Sequence, residues 1–282
     1  MATPDNPIKA DFSADSWTTA SSSYAERVGR MSIQSCDRLI SQAHRTHPFS
    51  PSSSHVLDQG AGTGVLTSVL TARFPSIRVL ATDISPGMVS AIEAKHLPNV
   101  AAKLVDACVL DNVEDLGAAA TFSHVFSTFM LQFAPQPHNV VREMHRVLEP
   151  GGFVGLAMWG ERIGPFAIWE EACRRLDPTY ELPQQQFDKS AWRTQRELED
   201  AMREAGYEEV KSEVVPMHFE FQDSGSYVEF WLKTSNPVAE RLVKSFRGDL
   251  EVVERELEKV LHEKYDDGRG IFIDGILATG TK

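Results

Sequence analysis

The chain has 282 residues, 42% of them hydrophobic and 24% charged, the balance of an ordinary folded domain rather than a disordered or collagenous one. With 28 Lys and Arg against 40 Asp and Glu, the formal net charge is −12, and no Lys/Arg-rich run offers a surface to nucleic acid or an anionic membrane. Three scattered cysteines, Cys36, Cys108 and Cys173, exclude a disulfide framework or a Cys-based metal site; they read as thiols of a reducing, cytoplasmic compartment, and no stretch reads as a secretion signal or a bilayer span.

Residues 1–22 are polar and unpatterned, and a mobile lead-in is expected there. Ser23 and Glu26 have capping-box spacing, and Tyr24, Val28, Met31, Cys36, Leu39 and Ala43 form one apolar stripe, which predicts an amphipathic cap helix over 23–45. From His55 a regular alternation begins. Strands are predicted at 55–58, 77–83, 100–106, 122–127 and 153–159, with helices at Val65–Leu70, behind the Ser85-Pro86 start, and from Pro137 to Leu148, where Glu149-Pro150-Gly151-Gly152 stops it. Short apolar strands alternating with helices require parallel pairing, so 54–160 reads as a doubly wound α/β core. The rhythm fails over 161–195, which is rich in aromatics and prolines and reads as an aromatic cap insertion. Helices and strands over 196–282, with a long strand from Glu209 to Phe221 and a last one from Ile271, are expected to add an antiparallel edge to one domain spanning 23–282.

The loop Asp58-Gln59-Gly60-Ala61-Gly62-Thr63-Gly64 lies where the first strand turns into a helix. Glycine there permits positive φ and lets a ligand approach the backbone, and the helix behind presents unpaired amides. A dinucleotide fingerprint would want glycine where Val65 stands. Asp58, Asp83 and Asp106 close three consecutive strands, at the end of the sheet where such folds bind ligands. A carboxylate after the second strand can accept both hydroxyls of a ribose, one after the third an adenine amine, and Asp58 suits an ammonium, directly or through water. A ligand with ribose, adenine and a cation fits three acids better than a pyrophosphate does.

The segments VLDQGAGTGVLTSVL, ATDISPGMV, KLVDA and HRVLEPGG, spanning about Ser54 to Trp159, resemble the successive motifs of class I S-adenosylmethionine-dependent methyltransferases. The resemblance implies a Rossmann-like fold with S-adenosyl-L-methionine as cofactor. It implies Gly60, Ala61 and Gly62 around the methionine moiety, Asp83 on the ribose, Ile84 and Met88 against the adenine, and Asp106 with Ala107 at the adenine amine. SHVFSTFMLQF, which carries Ser127, a candidate cofactor contact, and Phe129, occupies the substrate-side motif. The framing segments resemble small fungal secondary-metabolite methyltransferases of the gliotoxin bis-thiomethyltransferase type.

Trp17 and Tyr24 are candidates for an aromatic lid over the sulfonium. Phe129, Phe133, Trp159, Phe166 and Trp169 are the candidate acceptor contacts, and their character suits a flat, apolar natural product methylated on sulfur or oxygen, with nitrogen next. His138, heading a helix on the substrate side, is the candidate base, whereas His124 and His145 read as structural; no group has metal-ligand spacing. The expected partner is a small-molecule acceptor, with no nucleic acid or membrane, in a monomer or weak homodimer. A methyltransferase-shaped pericyclase or binding protein, and a nicotinamide-dependent oxidoreductase, are the alternatives.

Overall fold

A computed structural model describes residues 12–110, 120–182, 192–219, 221–233, 235–266 and 270–282, and leaves the side chains of 22–30 and of 219 undescribed. Strands β1 (His55–Gln59), β2 (Arg78–Asp83), β3 (Val100–Leu104), β4 (Phe122–Thr128) and β5 (Leu148–Ile163) alternate with helices α2 (Val65–Arg73), α3 (Pro86–Glu93) and α4 (Pro137–Val147). All five strands pair in parallel, because each crossover returns the chain to the same end of the sheet. Strands β6 (Glu208–Phe219) and β7 (Ile271–Thr281) complete a seven-stranded sheet of order β3-β2-β1-β4-β5-β7-β6, in which β7 runs antiparallel to both neighbours. The expected doubly wound sheet with an antiparallel C-terminal edge is the one observed. Its strand order reverses between β1 and β4, and a crevice opens there at the carboxyl ends.

Successive residues of each strand feed opposite faces. Val56, Val79 and Phe126 enter a core shared with Leu39 and Ile40. Leu57, Leu80 and Val125 enter a second one with Val140, Val141 and Met144 of α4. Both faces of the sheet are therefore covered, as parallel strands require.

Three boundaries differ from the sequence reading. Helix α1 spans Ala14–Thr46, because the Ser13 hydroxyl accepts the Ser16 amide and caps it; Ser23 lies inside the helix, and 14–22 is not a lead-in coil. The segment Glu149–Gly152 does not separate α4 from the next strand. β5 starts at Leu148, and the extra residues are absorbed as a bulge between the Phe122–Leu148 and His124–Phe153 pairs. In the expected irregular insertion, β5 runs on to Ile163 and a helix α5 (Gly164–Leu176) follows. Its buried residues Phe166, Ile168, Trp169, Ala172 and Cys173 have helical spacing, which aromatic content hid. Pro183 and Phe187 of that insertion lie outside the described residues, as do Asp111 and Asp115 after β3.

Helix α6 (Gln195–Glu204) begins with a capping box between Thr194 and Glu197. Helices α7 (Ser224–Leu232), α8 (Pro237–Ser245) and α9 (Leu250–Lys264) come between β6 and β7. Because Phe219 pairs with Ile271, and Ile163 with Ile273, that excursion leaves the sheet at the carboxyl end of the parallel strands. The cap helices therefore stand on the crevice side. Among the described residues no helix is long and apolar enough to cross a membrane.

Candidate functional site

An open cleft lies at the carboxyl ends of β1, β2 and β4. Its floor is the turn after β1, where Gly60, Gly62 and Gly64 have φ of +66°, +56° and +76°. The turn is tied by the Ala61 amide on Thr82 O and the Gly64 amide on Ala61 O, each 2.8 Å. A Cβ on Gly60 would stand 2.3 Å from Met130 Cγ, so that glycine is fixed by packing as well as by φ. A Cβ on Gly62 would meet nothing within 4 Å, because the space beyond it is the cleft.

Asp83, at the last position of β2, faces this floor. Its Oδ2 accepts the Gly62 amide and its Oδ1 the Ser85 amide, both at 2.9 Å. Burial raises its pKa, and those backbone amides act against the rise. Each oxygen keeps a lone pair, so the carboxylate fixes the loop and still offers acceptors to the cleft. Ile84, Met88 and Ala107 line the same wall. Asp106 lines it too, two residues beyond the end of β3, with Oδ1 bonded to the Cys108 amide at 2.9 Å. An apolar slot closed by two carboxylates fits an adenosine, with acceptors for ribose hydroxyls and for an amine.

Asp58 does not line the cleft itself, which leaves only the water-mediated form of its expected contact. Fully buried, it turns away from the cleft lining, and its Oδ2 accepts Thr67 Oγ1 at 2.6 Å and the Thr67 amide at 3.2 Å at the start of α2. Burial pushes its pKa up to about 6. Its Oδ1, Gln59 Oε1 and Ser127 Oγ are buried without a partner among the described residues. Three orphaned acceptors behind the glycine turn suit a cation or a water at that end.

The opposite wall is aromatic. Trp17 from the first turns of α1 sets its ring edge-on to Phe133 at 5.0 Å, and Phe12 meets Phe133 at the same distance. Thr18 Oγ1 and Ser85 Oγ, 2.9 Å apart, pin this part of α1 to the head of α3. Phe129 lines the cleft with a left-handed φ of +56°, a conformation an aromatic residue adopts only under constraint. The constraints are its amide on Ala157 O at 2.7 Å and its ring stacked on Trp159 at 4.0 Å. Gln132 secures the same turn by bonding both Trp159 O and Trp159 N at 2.7 Å.

Of the proposed acceptor contacts, then, Phe129 and Phe133 line the cleft and Trp159 supports Phe129 from behind. Phe166 and Trp169 do not reach it. They pack in the core under the cap helices, with Trp169 Nε1 donating to Tyr180 OH at 3.0 Å. Tyr24 lies in α1, but its side chain is outside the described residues. His138 sits outside the lining, with its ring edge-on to Trp192 at 4.7 Å. His124 is structural. Its Nδ1 is 2.8 Å from Ser123 Oγ and its Nε2 is 2.7 Å from His47 O, and burial lowers its pKa to about 4. His145, also lowered by burial, lies edge-on to Tyr207.

Phe12, Ser32, Thr128 and Met130 line the cleft and were not singled out from the sequence. Thr128 and Met130 flank Phe129 and could have been found with it; Phe12 stands in a stretch with no apolar repeat, and Ser32 shows no distinguishing spacing.

Residues 57–156 match the family model described as a methyltransferase domain. A malonyl-[acyl-carrier protein] O-methyltransferase of Laribacter hongkongensis is 31% identical over 150 residues, 51% of this chain and 49% of that protein. The chain thus spans about half the length of the curated relatives it matches first. The methyltransferase ucsB of an Acremonium species is 20% identical over 277 residues, 93% of this chain and 91% of that protein. Among solved structures, phosphoethanolamine N-methyltransferase 2 of Haemonchus contortus, in complex with S-adenosylhomocysteine, superposes with a TM-score of 0.52 at 17% identity, over 87% of this chain and 53% of that one. Residues 57–156, the segment that builds the glycine turn, Asp83 and Phe129, are thus similar to a methyltransferase domain, and the sheet that holds them has the Rossmann-like fold of a solved methyltransferase.

Proposed function

We propose that the chain transfers a methyl group from S-adenosylmethionine to a small, largely apolar acceptor, on sulfur or oxygen. The observation that carries this reading is one cleft with two unlike ends. One end joins a glycine turn to Asp83 and Asp106, and the other is built from Phe12, Trp17, Phe129 and Phe133. S-adenosylmethionine supplies a methyl group activated by a positively charged sulfur. Asp83 would hold its ribose, Gly62 would admit it against the backbone, and Ile84, Met88 and Asp106 would receive its adenine. Asp58, through its free oxygen and an intervening water, suits the ammonium.

The aromatic end excludes water, and its ring faces attract a cation more than an aliphatic wall would. Positioning is the main task of such a site, since holding an acceptor in line with the methyl group removes much of the entropic barrier. No Lys, Arg or His stands among the described lining residues. A thiol, a phenol or a carboxylic acid is reactive enough as its anion to need no dedicated base, and the acceptor we infer is of that kind. The relative that methylates an oxygen of a malonyl carrier supports oxygen as one of the two targets. We place the enzyme in the cytoplasm, acting alone or as a weak dimer.

The test is formation of S-adenosylhomocysteine with a panel of apolar thiols, phenols and aryl carboxylic acids. At least one should be methylated, with Phe129→Ala lowering its turnover at least tenfold while S-adenosylhomocysteine affinity stays within a few-fold. Methylation of a histone peptide or an RNA, with the whole panel untouched, would overturn the reading.

A further inference from the structure

The cap holds a cation that the cleft described above does not use. Arg241, on α8, is only 9% exposed, and its Nε is buried without a hydrogen-bond partner. Among the described residues no carboxylate pairs with it, although the chain has 40 acidic residues and a net charge of −12. Arg193 also buries an unmet Nε but is more exposed as a residue, whereas several other exposed arginines are paired with acids. Arg38 meets Glu213, Arg162 meets Asp274, and Arg175 meets Glu171, Glu256 and Glu263. A guanidinium cannot escape burial by losing its proton near neutral pH, so a buried one is expected beside an anion. Burial lowers the Arg241 pKa, and no neighbouring charge opposes that effect.

A second orphaned donor stands on the adjoining helix. Trp231, on α7, is 7% exposed, and its Nε1–H has no partner among the described residues, whereas the buried Trp169 indole reaches Tyr180 OH. Helices α7 and α8 pack on each other, and α8 packs on α1, which carries Trp17 and Ser32 to the cleft. Neither helix is loosely held. Tyr227 OH donates to Pro165 O at 3.1 Å, and Tyr180 OH, 2.6 Å from Ser245 Oγ, ties the end of α8 to Trp169 of α5. Both helices belong to the excursion between β6 and β7, on the side of the sheet where the cleft opens. Neither residue lines the cleft itself, but both unmet donors stand on packed helices of the cap that covers its end of the sheet, and a buried donor without a partner calls for an acceptor.

We propose that Arg241, assisted by the Trp231 indole N–H, is a carboxylate-binding subsite of the cap that receives an acid group carried by the methyl acceptor, away from the methylated atom. This rests on the methyltransferase reading above. A carboxylate matches a guanidinium fork in plane and in charge, and its spare lone pair takes one neutral donor. A single cation leaves a phosphate dianion half neutralised. The acceptor is then an aryl acid, with an apolar body for the aromatic wall and an anionic end for the cap.

The experiment measures binding of benzoate, 2-naphthoate and 2-anthroate, each against its primary amide, by calorimetry and thermal shift in the presence of S-adenosylhomocysteine. In the wild type at least one acid should bind tenfold or more tighter than its amide. In Arg241→Met that preference should fall to within twofold, while S-adenosylhomocysteine affinity holds within twofold. Trp231→Phe should lose part of the preference and keep the fold. Equal binding of every acid and amide by the wild type overturns the proposal, and so does a preference that survives Arg241→Met. Should Arg241→Met fail to fold, Trp231→Phe decides between the same two outcomes. The methyltransferase reading fails separately, if the wild type does not bind S-adenosylhomocysteine at all.

Discussion

The two ends of the cleft are held by different forces. At the nucleotide end the contacts are main-chain: Asp83 grips the Gly62 and Ser85 amides, and the turn closes on Thr82 O and Ala61 O. At the acceptor end the contacts are ring on ring, between segments distant in sequence, as with Trp17 and Phe133, and between nearer ones, as with Phe129 and Trp159. A backbone-held site depends on a few residue types at fixed spacing, since glycine adopts that φ without strain and a short acid reaches the amides. A packing-held wall can be assembled from any large side chains that fill the volume. The first should therefore fail by losing ligand, and the cap's interior by losing stability.

Trp169→Ala would break that division most forcefully. Emptying a fully buried tryptophan site and orphaning Tyr180 OH should cost about 3–5 kcal/mol in chemical denaturation. Because Trp169 stands away from the cleft, the folded variant should keep its affinity for S-adenosylhomocysteine within twofold. A large drop in affinity without a loss of stability would return Trp169 to the site.

Asp58 gives a pH test. Its native pKa of about 6 lies above the ordinary 3.8 of an aspartic acid, so the folded state holds its proton more tightly. Stability from this group is present below the lower value and is lost as pH rises through 6. The shift amounts to roughly 1–3 kcal/mol at most pH values above 6. Asp58→Asn should therefore gain stability at pH 8 relative to its own difference from wild type at pH 4, read from denaturation curves at both. A variant whose difference from wild type does not change with pH contradicts the buried carboxylate.

The mildest comparison is between two glycines of one turn. Both positions carry a strain cost of about 1–2 kcal/mol for any Cβ at positive φ. Gly60→Ala adds a clash with Met130, so it should lower the thermal midpoint more than Gly62→Ala does. Gly62→Ala puts its methyl into the open cleft and should weaken S-adenosylhomocysteine while leaving a folded protein. The opposite order would mean that the turn serves the fold alone.

The same contrast explains what could be read from the sequence. The strand ends, the glycine turn and the acids at 83 and 106 were visible because backbone geometry imposes spacing, and the sheet followed from strand–helix alternation. Helix α5 was missed because its stripe was read as a run of aromatics, and the start of α1 because ADSWTTASS has no apolar repeat before it packs against the cleft. Asp58 was assigned to the ligand from its position alone. Its side chain turns to Thr67, a competition between two local partners that spacing cannot decide. Phe166 and Trp169 are aromatic like Phe129, yet they lie on the buried stripe of α5, which faces the core rather than the cleft.

The central claim is that Asp83 and the glycine turn hold an adenosine. Titration calorimetry of S-adenosylhomocysteine into the wild type and Asp83→Ala tests it most directly. The wild type should bind one molecule per chain. The variant should lose about 1.5–3 kcal/mol per charge-assisted ribose bond, a fall of at least tenfold, while still melting cooperatively. An unchanged dissociation constant in a folded Asp83→Ala, or binding of NAD in place of S-adenosylhomocysteine by the wild type, would contradict it.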